Sequence, residues 1–299
     1  MAAEFKGKKA ATKEARKILR RQIDKGLSSL QSQRISDEDI HGARKQIKIA
    51  RATLRLLRTG LPKKQYRAEN CRLRDAAKPL SAARDATVLR KAFQGIHRGA
   101  RGSGIQRGVF EVDRMLAAEQ SSAHRQIAGS HGVPHSRRLL HEARARASRW
   151  HLGKDGWSTV GEGLRRVYRQ GRKALQTVQA APSDTTFHEW RKQVKYLRHQ
   201  VQLFRPIWPG PLEALTQELH ALSDYLGDDH DLVVLRSKLT ASGSPLESTS
   251  ARQVLLANLD RERATLQRKA LRVGARIYEE PPALFCSRLR QYWRAWRDA

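Results

Sequence analysis

Cysteine is nearly absent: Cys71 and Cys286 stand far apart with no CxxC spacing, which excludes a disulfide framework and a cysteine-based zinc site. No run approaches the 18 apolar residues of a membrane span. The basic start, Met1 to Arg21, is not followed by the apolar core of a secretory signal. A soluble protein of the reducing cytoplasm, with no membrane partner, is therefore expected. Aromatics are scarce, at 6% of residues, too few to interleave with cations as a base-stacking platform. Acids are outnumbered, 29 Asp+Glu against 59 Lys+Arg, for a net charge of +30 over 299 residues. That imbalance costs stability by self-repulsion and makes an anionic partner the leading expectation. Hydrophobic residues, at 39%, still suffice for a core at this length.

No sustained Val/Ile/Thr alternation marks a strand, whereas Ala, Leu, Arg, Lys and Gln recur at helical spacing. The expected fold is all-α. Turn chemistry places breaks at 60–62, 95–108, 129–134, 181–184, 206–211, 242–250 and 281–282. The helices between them should be about 12 to 25 residues long, a range that suits bundles with short connections.

One segment occurs twice. His41-Gly-Ala-Arg-Lys-Gln-Ile-Lys-Ile-Ala-Arg51 returns as His188-Glu-Trp-Arg-Lys-Gln-Val-Lys-Tyr-Leu-Arg198, a shift of 188 − 41 = 147 residues. Leu80 to Arg90 likewise returns as Leu226 to Arg236, and one loop deletion reconciles that shift of 226 − 80 = 146. A looser match aligns Lys17, Arg21 and Lys25 with Arg165, Arg169 and Lys173. The period is much longer than a solenoid repeat, so a pseudo-two-fold pair of helical bundles is expected. Asp37 and Asp184 precede the copied segments and are expected to act as N-caps.

On a helix at 100° per residue, His41, Arg44, Lys48, Arg51 and Arg55 share an arc of about 80°. Ile47, Ala50, Leu54 and Leu57 fill the neighbouring arc. A solvated helix face normally mixes signs, yet positions 41 to 58 hold no acid at all. Like charges three and four apart oppose the helix by a few tenths of a kcal/mol per pair, so an anion is expected to offset them. Arg can grip phosphate oxygens bidentately while Lys acts as a mobile point charge. Steps of about 5 to 6 Å along the ridge match a flexible linear polyanion. The candidate surface is thus His41, Arg44, Lys45, Lys48 and Arg51 with His188, Arg191, Lys192, Lys195 and Arg198. Arg55, Arg84, Arg90, His230 and Arg236 are added from the adjoining segments, and Lys17, Arg21, Arg165, Arg169 and Lys173 from the looser match.

Catalysis finds little support, since GxSxG, P-loop and HExxH patterns are all missing. The run Asp228-Asp229-His230-Asp231 is the one place for a metal cluster, but its counterpart Ala82-Ala83-Arg84-Asp85 lacks ligands. No metal and no cofactor are expected. Asp228 or Asp229 is instead expected to cap a helix, with Asp231 and Asp85 orienting nearby Arg or Lys. RNA or DNA binding is the alternative, for a basic face and a pI near 11.1 are its electrostatic footprint. A metal-dependent phosphohydrolase ranks below both, because acids to hold magnesium are scarce near the ridges.

His41-x-x-Arg44-Lys45-x-x-Lys48-x-x-Arg51 with Leu80-Ser81-x-x-Arg84-Asp85-x-x-Val88-Leu89, and their second-half copies, resemble the CHAD domain, the conserved histidine α-helical domain family. The copies are His188-Glu189-x-Arg191-Lys192-x-x-Lys195-Tyr196-x-Arg198 and Leu226-Gly227-x-x-His230-Asp231-x-x-Val234-Leu235. The resemblance spans about residues 10 to 297. It implies a single domain over 1–299, with an N-terminal half of about 10–150 and a C-terminal half of about 151–297. It further implies two four-helix bundles about a pseudo-two-fold axis, with a basic groove or pore between them that binds inorganic polyphosphate. The protein is then expected to be non-enzymatic, to associate with polyphosphate granules, and to take nucleic acid only as a weaker competitor. Gly42-Ala43 is slighter than the family's usual pair after the first histidine, and Arg84 stands where the second half has His230.

Overall fold

The computed structural model describes residues 3–7, 10–32, 35–96, 103–129, 131–152, 156–241, 246 and 250–298. Every regular element among them is helical. In chain order they are α1 (Ala11–Ser28), α2 (Asp37–Leu56), α3 (Lys63–Ala77), α4 (Ser81–Ile96), α5 (Ser103–Gly129), α6 (Gly132–Ser148), α7 (Trp157–Ala180), α8 (Asp184–Phe204), α9 (Pro209–Thr240), α10 (Ser250–Ile277) and α11 (Pro282–Asp298). Short 3-10 turns at Arg58–Gly60 and Arg205–Ile207 follow the two copied helices. The chain is all-α, as its composition implies, and each turn-rich stretch named above overlaps a junction between helices, although Gly104 and Gly108 fall inside α5 and Pro134 inside α6, and the α1–α2, α3–α4 and α6–α7 junctions lie outside those stretches.

Two local expectations are corrected. The caps of α2 and α8 are Ser36 and Ser183, one residue ahead of the aspartates. Ser36 Oγ accepts from the Asp39 amide at 3.1 Å, and the Ser36 amide donates to Asp39 Oδ2 at 3.0 Å. At α8 the same reciprocal pair joins Ser183 and Thr186, at 3.2 and 2.9 Å. Each closes a capping box, which satisfies two amides where a lone aspartate cap would satisfy one. Asp228 and Asp229 cap nothing, because both lie inside α9.

Helix length also departs from expectation, since α5, α9 and α10 have 27, 32 and 28 residues. For α9 the reason is one residue. In the first half Pro79 separates α3 from α4, since proline lacks the amide a helix interior needs and its ring clashes with the preceding turn. The second half has Tyr225 at the equivalent position (79 + 146 = 225), and α9 runs through.

Burial follows the periodicity: Ile47, Ala50, Leu54 and Leu57 are all buried. One large core holds residues of α1, α2, α3, α6, α7, α8, α11 and the first part of α9, with Ile127 from the end of α5 and Ala270 and Ile277 from the end of α10. A smaller one gathers Leu89 and Phe93 of α4, Val112 and Leu116 of α5, Leu232 and Leu235 of α9, and Leu255 and Leu259 of α10. Both cores therefore draw on both sequence halves. The halves join where α4 meets α9 and where α2 meets α8. There the buried Gln200 amide donates to the Ala52 carbonyl at 3.0 Å. Next to this junction α7 lies against the end of α2, and a Cβ at Gly163 would come within 2.5 Å of the Leu56 backbone. Only glycine permits that approach.

Candidate functional site

Because α2 and α8 pack along their apolar arcs, the adjoining charged arcs turn toward each other. The charges acting on Lys48 include Arg44 of its own helix and Arg191 and Arg198 of α8; those acting on Lys195 include Arg191, Arg198 and Lys48. Arg44 also acts on Arg191 across the junction. The two ridges thus form one surface. Lys48 is reached by solvent, yet burial is the largest cause of its lowered pKa, about 8. Both hold for a side chain on the floor of an open cleft, touched by water but walled by protein. Burial, followed by Arg191, Lys48 and Arg198 and opposed by Asp231, brings Lys195 down to about 6. Burial likewise lowers Arg191 and Arg198. A half-desolvated cluster of five cations is costly to leave without anions.

Some anions are supplied by the protein. Arg44 Nη2 bonds Asp85 of α4 at 3.3 Å. Asp231 and Asp228 of α9, with Asp85, are the charges that favour ionised Arg191. Of the two aspartates expected to orient nearby Arg or Lys, Asp85 bonds a ridge arginine, whereas Asp231 acts on Arg191 and Lys195 through its charge. The four-residue run around Asp231 does not converge on a point, since consecutive residues fan out at 100° along a helix. Asp229 Oδ1, for instance, points away to accept from Arg263 Nε and Gln267 Nε2, both at 3.0 Å. Among the described residues no three His, Cys, Asp or Glu side chains gather as metal ligands.

At one rim His188 Nδ1 lies 3.4 Å from His230 Nδ1. Burial lowers both imidazoles, and His230 falls to about 4, with Arg191 and His188 adding to the effect. These rings are neutral at pH 7 and offer hydrogen bonds in place of charge. His41 is exposed on α2, and the side chain of Arg84, which stands where the second half has His230, lies outside the described residues. At the other end Arg55 stacks 3.6 Å over the Tyr196 ring. Asn70 Oδ1 accepts from Arg55 Nη1 at 3.0 Å and from Arg51 Nε at 3.4 Å. Lys45 is exposed beside the cleft, and Lys192 pairs with Glu189 one turn back.

Not every candidate arrives there. Arg90 forks onto both oxygens of Asp113 in α5, at 3.0 and 2.9 Å. Arg236 Nε bonds Asp260 of α10 at 3.3 Å. Both are pinned by local carboxylates, a consequence of spacing that carried them past the cleft on their helices. The looser match also fails to converge. Arg165 pairs with Glu162 at 3.1 Å and faces Cys286 of α11, while Arg21 lines a small cavity with Glu4 and Lys6. Lys17, Arg169 and Lys173 are exposed on α1 and α7, whereas the charges acting most strongly on the cleft lysines come from α2, α4, α8 and α9.

Several participants escaped the sequence. Asn70 is one, and no pattern marks it because it comes from α3. His199 is another: buried four residues after Lys195, it drops to about 3, chiefly by burial and then by Arg198, Lys48, Lys195 and Lys45. Its place, one turn beyond a ridge lysine, was the available signal.

The CHAD domain family model matches residues 17–240. Among solved structures, PptA from Streptomyces chartreusis is similar at a TM-score of 0.64 and 16% identity, over 89% of this chain and 99% of that one. The CHAD domain from the plant Ricinus communis is similar at a TM-score of 0.62 and 20% identity, over 89% and 95%. At these identities the likeness is one of fold. No curated protein matches the sequence. Among the described residues no helix is long and apolar enough to cross a membrane.

Proposed function

The chain belongs to the CHAD domain family, and from that premise we propose that it binds inorganic polyphosphate without transforming it. The observation that carries this is the meeting of Arg44 and Lys48 with Arg191, Lys195 and Arg198 in one cleft contributed by both halves. Phosphoryl groups of a linear chain replace the missing counter-ions in succession, with Arg supplying forks and Lys point charges. His188, His230 and His41 line the rim as hydrogen-bonding groups. Long chains engage the ridges of both halves and gain from their linkage, whereas short ones engage fewer cations. Such binding brings the protein to polyphosphate granules.

Nucleic acid is the weaker fit. Tyr196 is the one aromatic on the ridges, and Arg55 already covers its face, which removes it as a stacking platform. The test is a series of titrations with polyphosphate of increasing length at two salt concentrations, with RNA as competitor. Affinity should climb with length and fall steeply with salt. Equal affinity for triphosphate and long chains, or RNA competing on equal terms, would overturn the proposal. Shortening of the chains on incubation with magnesium or manganese would overturn its non-enzymatic part.

A further inference from the structure

The cationic cleft contains its own acids, and their positions are related. Asp85 of α4 and Asp231 of α9 occupy equivalent places in the two copied segments (231 − 85 = 146). Asp85 bonds Arg44 Nη2 at 3.3 Å, and Asp231 is the strongest of the charges favouring ionised Arg191, ahead of Asp85. Asp231 also opposes the lowering of Lys195. The groups confronting these two carboxylates are therefore Arg44 and Lys48 from α2, Arg191 and Lys195 from α8, and Asp228 from α9.

A carboxylate and a phosphoryl group use the same guanidinium edge in the same planar geometry. One edge cannot serve both at full strength, and a carboxylate left beside a bound phosphate repels it. We infer that Asp85 is an internal stand-in for a phosphoryl group: it holds Arg44 while the cleft is empty and yields that arginine when a polyanion enters, with Asp231 adding negative charge at the equivalent place of the second half. This rests on the cleft being the polyanion surface and adds to it a tuning device that weakens binding while keeping the empty cleft folded. The two acids differ in how they can yield. Asp85 has 68% of its side chain exposed and can swing to solvent. Asp231 is half-buried and has less room to move away.

A purely orienting role predicts the opposite result, because a carboxylate that merely aims an arginine at the ligand helps binding. Asp85→Asn and Asp231→Asn, singly and together, should be titrated with long-chain polyphosphate and, separately, with heparin as a phosphate-free polyanion. Circular dichroism and melting of each variant identify any that misfold; Asp231→Ser is the substitute if the asparagine does. The stand-in role predicts that each single variant binds about three- to tenfold more tightly. The salt dependence should steepen by about one power per acid removed. Unchanged or weakened binding of both polyanions by folded variants overturns the inference. If wild type binds heparin but not polyphosphate and the variants tighten on heparin, the inference stands while the polyphosphate proposal falls.

Discussion

Lys195→Met should make the free protein more stable while making it a poorer polyanion binder. In the unfolded chain the lysine has its ordinary pKa of 10.5, and in the cleft it falls to about 6. Between those values the unfolded state holds more protons than the native one, so stability rises with pH across that window and the lysine's burden is greatest at its acid end. At pH 7 the gap to the ordinary value is 10.5 − 7 = 3.5 units. At about 1.4 kcal/mol each this sets an upper bound of about 5 kcal/mol. Lys195 keeps partial contact with solvent, and screening reduces the expected effect to about 1–2 kcal/mol. Methionine fills the same unbranched volume with no charge, so no cavity offsets the gain. Tm should rise by about 2–6 °C at pH 7, with the increment shrinking as pH climbs toward 9. Differential scanning calorimetry from pH 6.5 to 9, paired with polyphosphate titration, reads both effects. A Tm decrease of similar size, or an increment independent of pH, would refute the idea that this lysine is held in the cleft against its solvation.

Proton linkage should appear in binding as well. Because polyanion charge favours the ammonium forms of Lys195 and Lys48, binding takes up protons and affinity falls from pH 6 to 9. Calorimetric titration in two buffers of different ionisation enthalpy measures the uptake directly. Lys48→Glu combined with Lys195→Glu should abolish polyphosphate binding with the helical circular dichroism unchanged; normal binding would remove these residues from the site. Arg90→Ala should cost stability between α4 and α5 and leave polyphosphate affinity within about twofold, since its edge is taken by Asp113. Gly163→Ala, which drives a methyl into the Leu56 backbone, should destabilise by about 1–3 kcal/mol in urea melts.

Local sequence chemistry was enough to read the all-α class, seven of the ten junctions between the described helices and the doubled basic ridge. Each of these is a local property: clusters of turn residues interrupt helices, and the arc that a side chain occupies follows from 3.6 residues per turn. Spacing could say that Arg44, Lys48, Arg191 and Lys195 lie beside apolar stripes. It could not say that the stripes of α2 and α8 pack on each other, which is what turns two charged faces into one cleft. The same limit explains the candidates that went elsewhere. Arg90 and Arg236 repeat as faithfully as the ridge residues, but Asp113 and Asp260 await them on α5 and α10, and neither acid is near in sequence. Asn70 enters from a third helix and His199 by sinking one turn below Lys195. These partners follow from packing, because desolvation and charge pairing depend on what the rest of the chain brings within a few ångströms, while periodicity records only which way each helix faces.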